Sequence, residues 1–397
     1  MPEAVIVDVV RTASGRGKPG GALASVHPVD LLATVLRTIA ERTGLDPATI
    51  DDVIGGCVSQ VGEQAMNITR SAVLAAGFPE HVPATTVDRQ CGSSQQAAMF
   101  AAQSIMAGTH DIVIACGVES MSRVPLGSSS TDAETISPSL RTRYPEGFVN
   151  QGVSAELIAA KWGLDRATLD AHAARSHRLA CEAAASGLFD AEIVPVAVTD
   201  ADGTTRAHAT DETVRPGTNI EALAGLRPSF HSEAYGRRFP QIAWSITPGN
   251  SSPLTDGASA ALIMSAERAT ALGLRPRARF VSFAVVGDDP IMMLTGPIPA
   301  TRRILDRTGL TIDDIDAFEV NEAFSSVPLA WLAETGADPA RVNPRGGAIA
   351  LGHALGSSGT RLLTTLVNHL EHTGGRFGLQ TMCEGAGMAN ASLIERL

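Results

Sequence analysis

Lysine is nearly absent from this sequence. Of the 397 residues only Lys18 and Lys161 are lysines, and the formal net charge at pH 7 is −11. Proteins that bind nucleic acids or membrane surfaces usually present a basic patch, so neither kind of partner is expected. Any anionic ligand would have to be bound mainly by arginine, histidine or backbone N–H groups.

Cysteine is scarce and irregularly spaced. The cysteines are Cys57, Cys91, Cys116, Cys181 and Cys383. An odd number without regular spacing argues against a disulfide framework and favours a reducing, cytoplasmic compartment. Neither CxxC nor HExxH spacing occurs, so no metal site is expected. The first residues lack the basic region of a signal peptide, and no run is long and apolar enough to span a bilayer.

Strand and helix patterns alternate along the first third of the chain. Hydrophobic residues make up 44% of the sequence, which excludes a disordered protein, and its length predicts two or three domains. Apolar runs at 4–10, 53–58 and 112–117 predict strands, and residues 30–41 and 95–108 predict helices. This alternation indicates an α/β fold with a parallel sheet covered on both faces.

The last third of the chain repeats the pattern of the first. Residues 307–310 echo 42–45, and residues 355–358 echo 91–94, where Gly-Ser-Ser again precedes a helix. The preserved order predicts a duplicated α/β unit. Residues 121–252 differ in character and are interpreted as an insertion with helices at 154–162 and 167–186 and a polar stretch at 200–205. The two halves are expected to face each other, with helix N-termini from both directed at one crevice.

Cys91 lies where the short segment 83–87, a predicted strand, gives way to the helix at 95–108. The macrodipole and the free N–H groups at a helix N-terminus favour the thiolate, which is the nucleophilic form of cysteine. The small residues Gly92, Ser93 and Ser94 would let another group approach closely. The alternative is an ordinary buried cysteine, the commoner situation for a single cysteine.

Three stretches of the second half carry residues that could act with Cys91. His353 lies in a glycine-rich turn before a helix, where it could take the proton of a thiol or could be structural. Cys383 ends a predicted strand before the glycine-rich turn 385–387, whose N–H groups suit an oxyanion. Asn321 follows another predicted strand and could either position a water molecule or cap a helix.

These stretches resemble the signature segments of the thiolase family. The matching motifs are Cys-Gly-Ser-Ser at 91–94, Asn-Glu-Ala-Phe at 321–324, Gly-Gly-Ala-Ile-Ala-Leu-Gly-His at 346–353 and Cys-x-Gly-x-Gly at 383–387. The resemblance covers essentially the whole chain. It implies two α/β halves, each with a five-stranded sheet, in α-β-α-β-α layers with an inserted loop domain. The expected domains are residues 1–120 with 253–275, the CoA-binding insertion 121–252, and residues 276–397.

Thiolases cleave a 3-oxoacyl-CoA with free CoA or run the reverse condensation, and the resemblance implies roles for the motif residues. Cys91 would be the nucleophile that becomes acylated, and His353 would take its proton. Cys383 would protonate the departing acetyl-CoA enolate, whose oxygen would be stabilised by His353 and a water held by Asn321. The N–H groups of Cys91 and Gly385 would form a second oxyanion hole. No permanently bound cofactor is implied, because CoA and acyl-CoA are substrates.

The resemblance also implies contacts with CoA. Arg215 would lie near the nucleotide, Phe230 and Phe324 along the pantetheine, and Ser252 and Met293 near the thioester. Each of these could instead be an ordinary surface or core residue. The family further implies a homodimer or a homotetramer.

The favoured hypothesis is a degradative thiolase acting in fatty acid β-oxidation. One alternative is a biosynthetic acetoacetyl-CoA thiolase that condenses two acetyl-CoA. Asn150-Gln151 stands where many short-chain members have His-Met at the acyl pocket, so a preference for acetoacetyl-CoA is in doubt. The other alternative is an inactive thiolase-like scaffold that binds CoA, against which the intact set of Cys91, His353 and Cys383 argues.

Overall fold

The computed structural model describes residues 2–199 and 202–397, and in them the strands form one large sheet and a separate hairpin. The strands are β1 Ala4–Thr12, β2 Gly15–Arg16, β3 Asp52–Gly56, β4 Ala84–Val87, β5 Ile112–Ser120, β6 Ile193–Val194, β7 Val196–Thr199, β8 Thr205–His208, β9 Thr255–Ser265, β10 Ala278–Gly287, β11 Ala317–Val320, β12 Phe377–Glu384 and β13 Met388–Arg396. Strands β7 and β8 form the hairpin.

The helices lie between these strands and confirm the expected alternation. They are α1 Pro28–Thr43, α2 Ile68–Ala75, α3 Ser93–Met106, α4 Pro138–Arg143, α5 Gln151–Lys161, α6 Arg166–Ala185, α7 Ile220–Ala224, α8 Glu233–Arg238, α9 Ala266–Ala271, α10 Pro297–Thr308, α11 Ser326–Thr335, α12 Ala348–Leu351 and α13 Ser358–Thr373. Helices α1 and α10 both end at a left-handed glycine, Gly44 and Gly309, in the two echoing Arg-Thr-Gly-Leu segments.

The sheet confirms the predicted duplication. Its order is β11-β12-β13-β10-β1-β9-β5-β3-β4, so the two halves join where β1 pairs with β10. In each half two antiparallel pairs are followed by a parallel pair: β1-β9-β5-β3 in the first and β10-β13-β12-β11 in the second. An irregularity in the strand pairing also recurs. The register shifts between Ile6 and Asp8 in β1 and between Phe280 and Ser282 in β10.

Two expectations about the sheet need correction. The sheet is mixed rather than parallel, because β9 and β13 run antiparallel to both of their neighbours. The second half also lacks a full fifth strand in the part of the chain that the structure describes. The position that β4 occupies in the first half is reduced to a single parallel bridge between Phe318 and Val342.

Helices α3 and α13 form the central layer between the two halves. Their apolar side chains, among them Ala98, Ala102 and Leu366, belong to one core cluster that also includes Ile6 from the first half and Ile394 from the second. Both helices are buried nearly all round, as expected of a helix with a sheet on each side. Outer layers cover the other faces, with α1 and α2 on the first half and α10 on the second.

The inserted region contains the predicted helices as α5 and α6, and it packs on the second half through α11 and α12. Of the predicted polar stretch, residues 200 and 201 lie outside the described residues, and Thr205 begins β8. The segments expected as loops at 128–131 and 142–147 contain a short helical turn and the end of α4. The exact domain boundaries stay a prediction. Among the described residues no helix has the length and hydropathy needed to cross a membrane.

Candidate active site

Cys91 lies in the turn between β4 and α3, as predicted. The turn is tied by the Ser93 hydroxyl, which donates to the Gln90 carbonyl at 2.6 Å and accepts from the Arg89 N–H at 2.9 Å. Gln90 has a φ of 49°, a left-handed conformation that reverses the chain just before the thiol. Cys91 itself is 6% exposed and packs against Leu362 and Met382 of the second half.

The expectation that the helix terminus keeps Cys91 as a thiolate is wrong for the resting site. Burial raises the pKa of Cys91 well above its usual value, and the neighbouring Cys383 and Glu384 raise it further. Hydrogen bonds from its own N–H and from the Gln151 side chain act in the opposite direction but do not compensate. The thiol is therefore neutral until a base accepts its proton.

His353 is held in one tautomer. The hydroxyl of Ser358 donates to the Ala354 carbonyl at 2.8 Å, so at 2.6 Å it must accept from Nδ1–H of His353. Nε2 is therefore the bare nitrogen, and Asn321 Nδ2 lies 3.4 Å from it. Burial, reinforced by Arg361, lowers the pKa of His353 to about 3. The ring is a neutral proton acceptor.

Asn321 joins His353 to Cys383. It follows β11, and its N–H donates to the Thr381 carbonyl of β12 at 3.1 Å. One amide hydrogen is directed at His353 Nε2, and the side chain also hydrogen-bonds the Cys383 thiol. Its Oδ1 is buried without a donor among the described residues. The alternative interpretation of Asn321 as a helix cap is wrong, because α11 starts only at Ser326.

Cys383 is the penultimate residue of β12 and is fully buried. Burial raises the pKa of its thiol to about 12 despite the hydrogen bond from Asn321. The turn that follows brings Gly385 against the Cys91 loop, since a methyl group on Gly385 would lie 2.9 Å from Oε1 of Gln90. Cys91, Asn321, His353, Cys383 and Gly385 therefore lie together at the junction of the two halves.

Four of the five residues expected to contact CoA gather beside Cys383. Phe324 and Met293 share a core cluster with Cys383, and the Phe230 ring meets Phe324 edge-on at 5.9 Å. The N–H of Ser252 donates to the Ala323 carbonyl at 3.0 Å, which fixes its loop along the Asn-Glu-Ala-Phe motif. This set is mostly apolar, as suits the neutral arm of a ligand.

Arg215 lies apart from that set. It lines an open cavity of about 580 Å³ together with Arg178, Thr218 and Asn219. Its N–H donates to Nδ1 of His177 at 3.2 Å, which fixes the backbone there. A second, smaller space shares Arg215 and Thr218 with this cavity and is also lined by Ser251, which precedes Ser252.

Sequence analysis missed the buried carboxylates that hold the motifs in place. Glu322 accepts from His172 at 3.0 Å and Ser176 at 2.7 Å on α6, and from Asn343 at 2.9 Å. Burial alone would raise its pKa, but these hydrogen bonds outweigh burial and lower it to about 2. The signal was present as a charged residue inside the otherwise uncharged motif at 321–324.

Glu119 at the end of β5 has the same kind of role between the halves. It accepts from the N–H groups of Val58 and Ser59, both at 3.0 Å, and from that of Gly356 at 2.9 Å. It therefore ties the first half to the turn that follows His353. Within the described residues no group of three His, Cys, Asp or Glu is arranged to hold a metal ion.

The chain matches known proteins over its whole length. The family model for the N-terminal thiolase domain matches residues 4–267, and the C-terminal thiolase domain matches residues 274–396. The steroid 3-ketoacyl-CoA thiolase FadA6 of Mycobacterium tuberculosis is 49% identical, covering 100% of this chain and 95% of that protein. The 3-ketoacyl-CoA thiolase of Salmonella typhimurium is 44% identical over the full length of both.

A solved structure shows the same fold. The acetyl-CoA acetyltransferase of Bacillus anthracis aligns with a TM-score of 0.90 at 36% identity, covering 100% of this chain and 99% of that one. The shared fold and the two matched domain models account for nearly every described residue. The chain therefore belongs to the thiolase family and is an acyltransferase.

Proposed function

We propose that this protein cleaves 3-oxoacyl-CoA with free CoA, giving an acyl-CoA shortened by two carbons and acetyl-CoA. The observation that carries the proposal is the cluster of two thiols, an imidazole and a carboxamide at the junction of the halves. The names of the 44–49% identical relatives support the degradative direction.

The first half-reaction uses the neutral thiol–imidazole pair. As the Cys91 sulfur attacks the 3-keto carbon, its proton moves to Nε2 of His353. The bond between C2 and C3 then breaks, which leaves the acyl group on Cys91 and an acetyl-CoA enolate. The Cys383 thiol gives its proton to C2 of the enolate, and acetyl-CoA leaves.

The second half-reaction transfers the acyl group to CoA. The incoming CoA thiol gives its proton to the Cys383 thiolate and attacks the acyl-Cys91 carbonyl. The bond to the Cys91 sulfur then breaks, acyl-CoA leaves, and Cys91 takes back the proton held on Nε2 of His353. The N–H groups of Cys91 and Gly385 would stabilise the oxyanion of the tetrahedral intermediate. His353 and a water bound to Asn321 would stabilise the enolate oxygen of the first half-reaction. The unpaired Oδ1 of Asn321 supports this role, since it offers an acceptor for such a water.

The substrate CoA would run from the Arg215 cavity to Cys91. Arg215 offers positive charge at one end, where Arg178 is paired with Glu182, and the apolar set of Phe230, Met293 and Phe324 offers a lining for the pantetheine. We further propose that the protein is a cytoplasmic homodimer or homotetramer. In support, β4 lies at one end of the sheet and is only half-buried, so its edge is open to pairing with a second copy.

The decisive experiment is a CoA-dependent cleavage assay with the wild type, Cys91→Ser and a matched control, Cys116→Ala. Cys116 is a buried thiol in β5, in the outer core of the first half. We expect Cys91→Ser to lose at least about 10³-fold in kcat and to trap no labelled acyl group. The control Cys116→Ala should retain the wild-type kcat and should still trap the labelled acyl group. Turnover by Cys91→Ser at the wild-type rate would refute the assignment of the nucleophile.

The choice of substrates in that assay separates the degradative hypothesis from the biosynthetic one. The Bacillus anthracis structure is of an acetyl-CoA acetyltransferase, so acetoacetyl-CoA must be compared with longer linear 3-oxoacyl-CoAs. The FadA6 relative is named for steroid substrates, so a ring-bearing 3-oxoacyl-CoA belongs in the same series. A higher kcat/KM for the longer substrates is expected, and a strict preference for acetoacetyl-CoA would favour the biosynthetic alternative.

A further inference from the structure

The last residue of β12, Glu384, is a buried acid that the mechanism above does not use. Its side chain is fully buried, and neither carboxyl oxygen has a hydrogen-bond partner among the described residues. The Oδ1 of the buried Asn390 also lacks a partner. An isolated carboxylate in such a position would be strongly unfavourable, so an ionised Glu384 does not fit these surroundings.

Glu384 and Asn390 converge on the Cys91 turn. Strands β12 and β13 pair with Met382 opposite Asn390 and Glu384 opposite Met388, so Glu384 and Asn390 project from the same face. On that face lies Gly92, where an added methyl group would collide with Oε1 of Glu384. The same methyl group would lie 2.7 Å from Nδ2 and 2.9 Å from Oδ1 of Asn390.

A single proton on Glu384 would pair one of its carboxyl oxygens with Oδ1 of Asn390. Asn390 Nδ2 donates to the Gly92 carbonyl at 3.0 Å, which leaves Oδ1 as the acceptor end of the amide. We propose that Glu384 is a positioning residue that acts as a neutral carboxylic acid, donating to Asn390 Oδ1 so that Asn390 holds the Gly92 carbonyl and with it the Cys91 turn. This inference rests on the proposed thiolase reaction.

Burial, rather than the charges nearby, favours a neutral Glu384. Asp88 and Arg89 face it from the loop before α3, the Cys91 thiol lies in the same loop, and Cys383 precedes it on β12. Burial raises the pKa of Glu384 to about 8, and Asp88 adds to the effect while Arg89 opposes it. An ionised Glu384 raises the pKa of both Cys91 and Cys383. Loss of its proton would thus break the hydrogen bond and disfavour both thiolates.

The test compares Glu384→Gln with Glu384→Leu in the full-length enzyme. Glutamine keeps a donor for Asn390 and cannot ionise, whereas leucine removes the donor. We expect Glu384→Gln to keep kcat near about pH 7 within about threefold, while Glu384→Leu loses about tenfold or more in kcat with little change in KM. We also expect the wild-type kcat/KM to fall as the pH rises through about 8, because Glu384 ionises there. Glu384→Gln cannot ionise, so its kcat/KM should not show this fall.

A second readout needs no substrate. The rate at which iodoacetamide alkylates Cys91, followed by peptide mass spectrometry, reports the reactivity of that thiol alone. Above about pH 8 the wild-type rate should fall progressively behind that of Glu384→Gln. This measurement decides the role of Glu384 even if the wild type shows no thiolysis, an outcome that would instead refute the proposed function.

Several results would overturn the proposal. If Glu384→Gln were as impaired as Glu384→Leu at neutral pH, the negative charge of Glu384 would be required. Identical pH profiles and alkylation rates in the wild type and Glu384→Gln would mean that Glu384 does not titrate next to Cys91. If Glu384→Leu does not fold, as judged by circular dichroism, the comparison of the wild type with Glu384→Gln still decides.

Discussion

At the scale of the residue, the site keeps its reacting groups uncharged. The Cys91 thiol has a raised pKa and the pKa of His353 is lowered to about 3, in each case mainly because of burial. A permanent thiolate–imidazolium pair would be unfavourable here, because both charged groups would have to be removed from water. In the proposed reaction the proton would therefore move during the attack on substrate, so the bare Nε2 of His353 would have to be correctly placed beforehand.

Ser358 fixes that nitrogen, so Ser358→Ala should slow the reaction. The variant leaves Nδ1–H of His353 without its acceptor at 2.6 Å, and an unsatisfied buried donor costs about 1–3 kcal/mol. We expect kcat to fall by about tenfold or more while KM changes little. Ser104→Ala, whose hydroxyl donates to a carbonyl of its own helix at 2.9 Å, is the matched control. Equal kinetics for the two variants would show that Ser358 does not orient the ring.

At the scale of the element, the starts of α3 and α13 cross in close contact. The Ser94 hydroxyl accepts from the Thr360 N–H at 3.0 Å, and a methyl group on Gly359 would collide with the backbone of Gln95. These helices follow the turns that carry Cys91 and His353. Their close crossing therefore brings the predicted nucleophile and base together across the pseudo-symmetric halves.

Gly359→Ala should disturb both stability and catalysis. The new methyl group has no space against Gln95, and overpacking of this kind costs about 1–3 kcal/mol. We expect a lower thermal midpoint and a reduced kcat. Gly287→Ala is a suitable comparison, because nothing lies within 4 Å of a methyl group at that position. If Gly359→Ala kept the wild-type thermal midpoint, the two helices could move apart without loss of stability.

At the scale of the whole molecule, buried acids join the inserted region and the two halves. Glu322 links α6 of the insertion to Asn343 of the second half, and Glu119 links the first half to Gly356 of the second. Each carboxyl group accepts several hydrogen bonds at once, so its full set of partners forms only when the separate segments are folded together.

Glu322 predicts a defined dependence of stability on pH. Its pKa is lowered to about 2 from an ordinary value of 4.5, so its contribution is present above about pH 4.5 and is lost as the pH falls towards 2. Glu322→Gln should therefore unfold at lower urea concentration than the wild type at about pH 7. The difference should shrink as the pH falls through this window. A difference independent of pH would contradict the assignment.

The sequence alone determined the order and type of most elements and the candidate residues. Periodic apolar runs and glycine stops were enough to predict α1, α3, β1 and β5, because these patterns depend on local geometry. The echoing segments predicted the duplication, and the motifs indicated Cys91, His353, Cys383 and Asn321. The match to thiolase domain models across the chain confirms the predicted family.

Only the tertiary structure decided the strand directions, the charge state of the site and the partners of the buried acids that join the segments. Local patterns do not specify whether β9 runs with or against its neighbours, since β1 and β5 are both distant from it in sequence. The helix terminus suggested a thiolate at Cys91, but burial by residues hundreds of positions away outweighs that local effect. The partners of Glu322 and Glu119 are likewise distant in sequence. Their ionisation depends on solvent exclusion, which exists only once the halves are packed together.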